Sequence, residues 1–235
     1  MAKLGCVSTV AVILARGGSK GIPLKNLQEV NGKPLIRRAV ENAVKSKCFT
    51  RVYVSTDHEA IAHEAQMSGA TVLWRPEELA VDSSGSEEVL VHHLSNELHT
   101  GVVTVCMIQC TSPFIGPDAL QSAKKLLEDG ALDSVFSART DHTFRWVPIG
   151  GHTWGPVDHS KVFRPRRQDL SPSVIETGAF YYFRVSSFLQ ERNRFCGNTG
   201  VVLVDGVEWL EIDELDDLRM ANQLAPLWDK KAGEK

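Results

Sequence analysis

Val10-Ala11-Val12-Ile13-Leu14 runs straight into Ala15-Arg16-Gly17-Gly18-Ser19-Lys20-Gly21-Ile22-Pro23-Leu24-Lys25-Asn26, and this stretch decides the fold. A short β-branched apolar run halted by a glycine-rich loop reads as a fully buried strand. Downstream, Leu35, Ile36, Ala39, Val40, Ala43 and Val44 recur at helical spacing, and Pro34 suits the first turn of a helix over residues 34–45. Arg51 to Ser55 reads as a strand, Thr56 or Asp57 as the cap of a helix that ends near Gly69, and Ala70 to Leu73 as a strand. Ser86 to Leu98 reads as a helix, Val102 to Ile108 as a strong buried strand, Pro117 to Glu128 as a helix and Ser134 to Ser137 as a strand. This alternation predicts βαβ units, hence an α/β fold with a mostly parallel, Rossmann-like sheet and helices on both faces. Ligands of such sheets sit beyond the carboxyl ends of the strands. The loop at 16–26, the residues from Asp57 onward and the Gln109–Pro113 turn all follow strands, so topology gathers them along one edge.

The alternation breaks between about residues 139 and 172. That stretch holds tryptophans, Gly-Gly and Gly-Pro turns and the cluster Arg164, Arg166, Arg167. It reads as an excursion from the sheet, a hairpin arm that contacts a second subunit. Thr177 to Phe183 and Val201 to Val204 return to the sheet, Asp213 to Leu227 forms a terminal helix, and residues 230–235 read as a polar tail.

With 235 residues, 43% hydrophobic and 23% charged, the chain has the composition of a globular protein, not of a disordered or fibrous one. Its 26 basic and 29 acidic residues give a net charge of −3, so it lacks the basic excess of a nucleic-acid binder. No apolar run approaches the ~18 residues of a membrane span, and the first residues read as a strand, not a signal peptide. Cys6, Cys48, Cys106, Cys110 and Cys196 are odd in number and widely spaced. They argue against a disulfide framework or zinc ribbon and for a reducing compartment, the cytoplasm. Cys106 and Cys110 read as small buried residues on one face of a strand.

The loop after the first strand combines three glycines, which free backbone N–H groups, with Arg16, Lys20, Lys25 and the hydroxyl of Ser19. Backbone donors and cations together suit a polyphosphate. The loop matches neither the P-loop nor the dinucleotide fingerprint. Gln109-Cys110-Thr111-Ser112-Pro113 offers an amide and two hydroxyls to a sugar or a base. Arg164-Pro165-Arg166-Arg167-Gln168 offers forked donors to a carboxylate or phosphate. Glu211 and Asp213 are two apart, so an extended backbone turns both to one side, where they suit a hard cation such as Mg²⁺. Asp217 reads as a helix-start carboxylate. His58, His92 and His93 read as solvated. No second His follows His63-Glu64 at zinc-protease spacing, and no Gly-x-Ser-x-Gly elbow occurs.

These segments resemble the CMP-sialic acid synthetases, the N-acylneuraminate cytidylyltransferases. The resemblance rests on Ile13 through Asn26, Val54-Ser55-Thr56-Asp57, Arg75-Pro76 with Leu79-Ala80 and Asp82-Ser83-Ser84, and Gln109 with Thr111-Ser112-Pro113. It continues through Phe144-Arg145-Trp146, Arg164 to Gln168, Gly178-Ala179-Phe180-Tyr181 and Ile212-Asp213. It implies a nucleotidyltransferase sheet, one cytidylyltransferase domain over residues 1–235, and a homodimer whose arm is the excursion at 139–172. It implies a short form without the phosphatase-like domain of vertebrate members, cytoplasmic, or nuclear in an animal. The implied reaction is CTP plus a sialic acid giving a CMP-sialic acid and pyrophosphate, with Mg²⁺, and the implied partners include no nucleic acid and no membrane.

Residue by residue, the resemblance gives Leu14, Ala15, Arg16, Gly18, Ser19, Lys20, Lys25, Asn26, Arg75 and Ser84 to the nucleotide. It gives Gln109, Thr111, Ser112, Arg166, Gln168, Thr177 and Tyr181 to the sugar, and Asp213 with Glu211 to the metal. Arg16, Lys20, Lys25 and Asp213 are the catalytic set. The family's usual Asp-Ile-Asp is here Glu211-Ile212-Asp213, which makes Asp213 the firmer ligand. A cytidylyltransferase for deaminated neuraminic, pseudaminic or legionaminic acid shares these motifs, and a non-catalytic sugar-nucleotide sensor would keep the loop. A metal-dependent glycosyltransferase would need an Asp-x-Asp after a central strand, where Gln109-Cys110-Thr111-Ser112 stands instead.

Overall fold

Alternation along the first strand sets the layers. In β1 (Ser8–Leu14) Ala11 and Ile13 join one apolar cluster while Val10 and Val12 join another. A strand with apolar residues on both sides must be covered on both sides. The computed structural model describes residues 8–98, 101–163, 165–169 and 172–233, so Cys6 and Arg164 lie outside the described residues.

A small hairpin, β2 (Glu29–Val30) and β3 (Lys33–Pro34), leads into α1 (Leu35–Lys45). There follow β4 (Arg51–Thr56), α2 (Glu59–Met67), β5 (Thr71–Trp74), α3 (Ser86–Asn96), β6 (Val102–Gln109), α4 (Pro117–Asp129) and β7 (Ser134–Asp141). The hairpin β8 (Trp146–Gly150) and β9 (Thr153–Pro156) precedes β10 (Ser173–Arg184), α5 (Val185–Glu191), β11 (Thr199–Leu203) and α6 (Leu215–Gly233). The main sheet has the order β11-β7-β10-β6-β1-β4-β5. It is parallel except for β10, which lies between β6 and β7 and runs antiparallel to both. Leu35, Ile36 and Val40 of α1, Ile61 of α2, Leu120 of α4 and Ala221 of α6 pack on one face. Leu90 and Leu94 of α3 and Phe188 of α5 pack on the other. The helices therefore cover both faces, as the sequence predicts.

Some boundaries differ from the sequence reading. Neither Thr56 nor Asp57 occupies the cap position of α2; His58 does, without a side-chain cap bond, and its N–H donates to Thr56 Oγ1 (3.2 Å). Cys110 lies just past β6 rather than on it, although both Cys106 and Cys110 are buried in the same cluster, where burial pushes the Cys110 thiol up to about 12. The terminal helix continues through Pro226 to Gly233 instead of ending at Leu227. The arm is a two-stranded sheet of its own, apart from the main one. Its Trp146, Ile149 and Trp154 are exposed, and so are Val162 and Phe163 beyond it.

Candidate active site

In the sheet register Leu14 stands beside Ser55 on one side and Gln109 on the other. Two of the bonds that hold the loop leaving β1 involve its backbone. The Asn26 amide donates to the Arg16 carbonyl (2.9 Å), and the Gly17 N–H donates to Asp57 Oδ1 (2.8 Å). Asp57 thus secures the loop instead of capping α2, and Gly17 does not offer a free donor. Gly21 is needed for closeness: a Cβ there would lie 2.6 Å from the Asp213 carbonyl oxygen. The loop therefore sits directly on the backbone of the candidate metal ligand.

A cleft of about 490 Å³ opens here. Every residue assigned to the nucleotide lines it except Ala15, which is fully buried and continues the pairing with β4 through its N–H to the Ser55 carbonyl. Gln109, Thr111 and Asp213 line it too. Lys25 and Asp213, 188 positions apart in sequence, meet at 3.0 Å, with Lys25 mostly covered and Asp213 open to solvent. The Ile212 N–H donates to the Thr111 carbonyl (2.8 Å), and Thr111 Oγ1 donates to Glu211 Oε1 (3.2 Å). Burial, and then the charge of Asp213, push the Glu211 carboxyl above its ordinary range. The two carboxylates form a hard-oxygen donor set, and this fits a divalent cation. Glu211 itself is half-buried and does not line the cleft, which leaves Asp213 as the accessible ligand.

Sequence reasoning gave no role to Asp82, yet it bridges two of the loop cations. Arg16 Nη2 reaches Asp82 Oδ1 at 2.6 Å and Lys20 Nζ reaches Oδ2 at 3.0 Å. Those bonds, led by the one from Lys20, hold its carboxyl below the usual range. The available signal was its place in Asp82-Ser83-Ser84. Arg75 is nearly buried at the cleft wall, and burial lowers its guanidinium to about 10.

Five assigned sugar residues do not line the cleft. Ser112 is buried, and its Oγ has no partner among the described residues. Thr177 is buried with its hydroxyl bonded to Ser137 (2.8 Å to Oγ). Tyr181 is buried, donates to Glu176 and packs under the Arg194 guanidinium. Arg166 and Gln168 are exposed after the arm, with Arg166 paired to Asp169 (2.7 Å). The solvated reading also fails for His93, which is fully buried, because α3 turns it toward β4 and Ser55. His58 is partly covered, and its ring packs against Gly17.

A family model described as cytidylyltransferase matches residues 10–197. The chain belongs to the cytidylyltransferase family. N-acylneuraminate cytidylyltransferase A of Danio rerio is 44% identical over 175 residues, covering 73% of this chain and 40% of that protein. The chain thus spans well under half the length of that relative. Pseudaminic acid cytidylyltransferase of Campylobacter jejuni is 29% identical over 227 residues, covering 93% of this chain and 96% of that one. Among solved structures, CMP:2-keto-3-deoxy-manno-octonic acid synthetase complexed with CTP matches with a TM-score of 0.69 at 19% identity, over 94% of this chain and 99% of that chain. At that identity the likeness establishes the cytidylyltransferase fold alone. Among the described residues, no helix is long and apolar enough to cross a membrane.

Proposed function

We propose that the chain transfers the cytidylyl group of CTP to an N-acylneuraminate, giving a CMP-N-acylneuraminate and pyrophosphate. The observation that carries this is the meeting of the loop cations with Asp213 in one cleft at the strand ends. The similarity to the Danio rerio enzyme supplies the substrate. Arg16, Lys20 and Lys25 hold the triphosphate and offset the charge that gathers on pyrophosphate as it leaves. The anomeric hydroxyl of the sugar attacks the α-phosphorus in line, and positioning supplies most of the rate. Gln109 and Thr111, which line the cleft, take the sugar. Asp213, backed by Glu211, holds Mg²⁺, which when bound neutralises phosphate charge. Arg16 and Lys20 exchange Asp82 for the triphosphate when the nucleotide arrives.

The arm pairs with a second copy of the chain, and carries Arg166 and Gln168 toward that copy instead of into their own cleft. The exposed apolar side chains of the arm are its contact surface. We place the enzyme in the cytoplasm or nucleus, in keeping with unpaired Cys48, Cys106, Cys110 and Cys196.

The test is pyrophosphate release from the purified chain with CTP, Mg²⁺ and a panel of acid sugars. Release with N-acetylneuraminate is expected. A second reading, a pseudaminate-type sugar, is favoured by the end-to-end match to the Campylobacter jejuni enzyme. Release with pseudaminic acid alone replaces the first reading with the second. CTP binding without release for any sugar overturns both and leaves a sugar-nucleotide sensor.

A further inference from the structure

Behind the cleft wall lies a buried polar chain that the proposed reaction does not use. Arg75 Nε lies 3.2 Å from Ser55 Oγ, and Arg75 Nη2 lies 3.3 Å from the Ser55 carbonyl oxygen. Ser55 Oγ lies 2.8 Å from His93 Nε2, and His93 Nδ1 lies 3.1 Å from Glu97 Oε2. Ser55 and His93 are fully buried, Arg75 is nearly so, and Glu97 at the end of α3 reaches solvent. The chain therefore runs from the protein surface to the nucleotide cleft.

Donor chemistry fixes its direction. A guanidinium only donates, so Ser55 Oγ accepts from Arg75 Nε–H. The Glu97 carboxylate only accepts, so the His93 proton sits on Nδ1, and with burial keeping the ring neutral Nε2 is left bare to accept the Ser55 hydroxyl proton. His93 is thereby the neutral tautomer with its proton on Nδ1, donated to Glu97. His92, His93 and Glu97 bring ligand atoms within 4.8 Å of one another, but both ring nitrogens of His93 are already committed, so a relay fits better than a metal site.

We propose that His93 is a positioning residue: acting through Ser55, it fixes the Arg75 guanidinium at the wall of the nucleotide cleft, and protonation of His93 weakens CTP binding. A proton on Nε2 turns the acceptor of the Ser55 hydroxyl into a second donor facing it, and places a positive charge behind Arg75. The charged or titratable groups facing His93 among the described residues are Glu97 and His92 of its own helix and Arg75 from the end of β5. Burial, His92 and Arg75 favour the neutral ring, while Glu97 opposes them. This inference rests on the assignment of the cleft to CTP.

The experiment is calorimetric titration of the full chain with CTP and Mg²⁺, from about pH 5 to 8, the span in which histidine titrates. His93→Leu removes the acceptor, and Ser55→Ala removes the middle hydroxyl. Each is expected to raise the CTP Kd about tenfold, the scale of one buried hydrogen bond, and the double variant to be no worse than either single one. His93→Gln, whose amide oxygen still accepts from Ser55, restores affinity and flattens its acid limb. Glu97→Gln removes the group that favours protonation, so the acid limb moves to lower pH. The KM for the acid sugar stays at the wild-type value throughout. Wild-type CTP affinity in both His93→Leu and Ser55→Ala overturns the relay while leaving the cleft assignment intact. Failure of the wild-type chain to bind CTP overturns the cleft assignment, and the relay with it.

Discussion

At Lys25 a single ammonium serves two readings, since it lies on Asp213 and lines the cleft beside the loop. Lys25→Ala is expected to lower kcat/KM by roughly a hundredfold or more, about 3 kcal/mol, the scale of one positioned donor in a reacting site. Circular dichroism and thermal melting should remain those of the wild type, because its ion pair reaches an exposed carboxylate and leaves no buried charge behind. Near-wild-type turnover in this variant would refute the phosphate assignment. Asp213→Asn keeps the shape but removes the negative charge with which the carboxylate holds a hard cation. The Mg²⁺ concentration for half-maximal rate should rise at least about tenfold, a loss that even supporting groups of metal sites produce. An unchanged Mg²⁺ titration would refute the role of Asp213 as the ligand.

Among the elements, α6 is clamped to α1 by one ion pair. Arg38 of α1 is almost fully buried and grips Asp229 of α6 with two bonds, at 2.6 and 3.1 Å. Burial works against the Asp229 charge, but the bonds from Arg38 and Asn31 prevail and hold its carboxyl below the usual range. Arg38→Ala should cost about 2 kcal/mol, less than a fully buried pair because Asp229 keeps a third of its exposure. For a chain of this size that lowers Tm by roughly 4–8 °C. The folded carboxyl titrates below the unfolded one, so the clamp stabilises at any pH above about 4 and is lost as pH falls through the folded value. The difference in Tm between wild type and Arg38→Ala should therefore shrink in acid. The clamp also shows where the sequence stops being legible. Strands and helices from β1 to α4, apart from the two-residue strands β2 and β3, were readable from their apolar runs and periods. The continuation of α6 past Leu227 was not, because it rests on tertiary contacts such as Arg38–Asp229. In the site, the loop cations and Asp213 were readable as chemistry. The roles of Asp82, Asp57 and His93 were not, since each depends on a partner at least 38 positions away: Arg16, Gly17 and Ser55.

For the whole molecule the question is how many copies of the chain act together. The arm displays Trp146, Ile149 and Trp154 on a two-stranded sheet separate from the main one. Ile149→Asp places a charge in that face without touching the main sheet. The wild-type chain is expected to elute with the mass of a dimer in size exclusion with light scattering, and this variant with that of a monomer. A monomeric wild type, or a dimer untouched by the substitution, would remove the arm from the interface. The order of the main sheet also bears on how the chain reaches its shape during synthesis. β6 has β1 on one side and only β10 on the other. As the ribosome delivers the chain, β5, β4, β1 and β6 can assemble first, but the outer edge of β6 stays open while α4, β7 and the whole arm emerge. Through that interval Val105, Met107 and their neighbours present an apolar, unpaired edge of the kind that captures other chains. Adding β10 closes that edge and joins β7 to the earlier strands, and β11 then pairs with β7. The strand that unites the sheet is thus one of the late ones to emerge, and nascent chains stalled before residue 173 are the ones most exposed to aggregation.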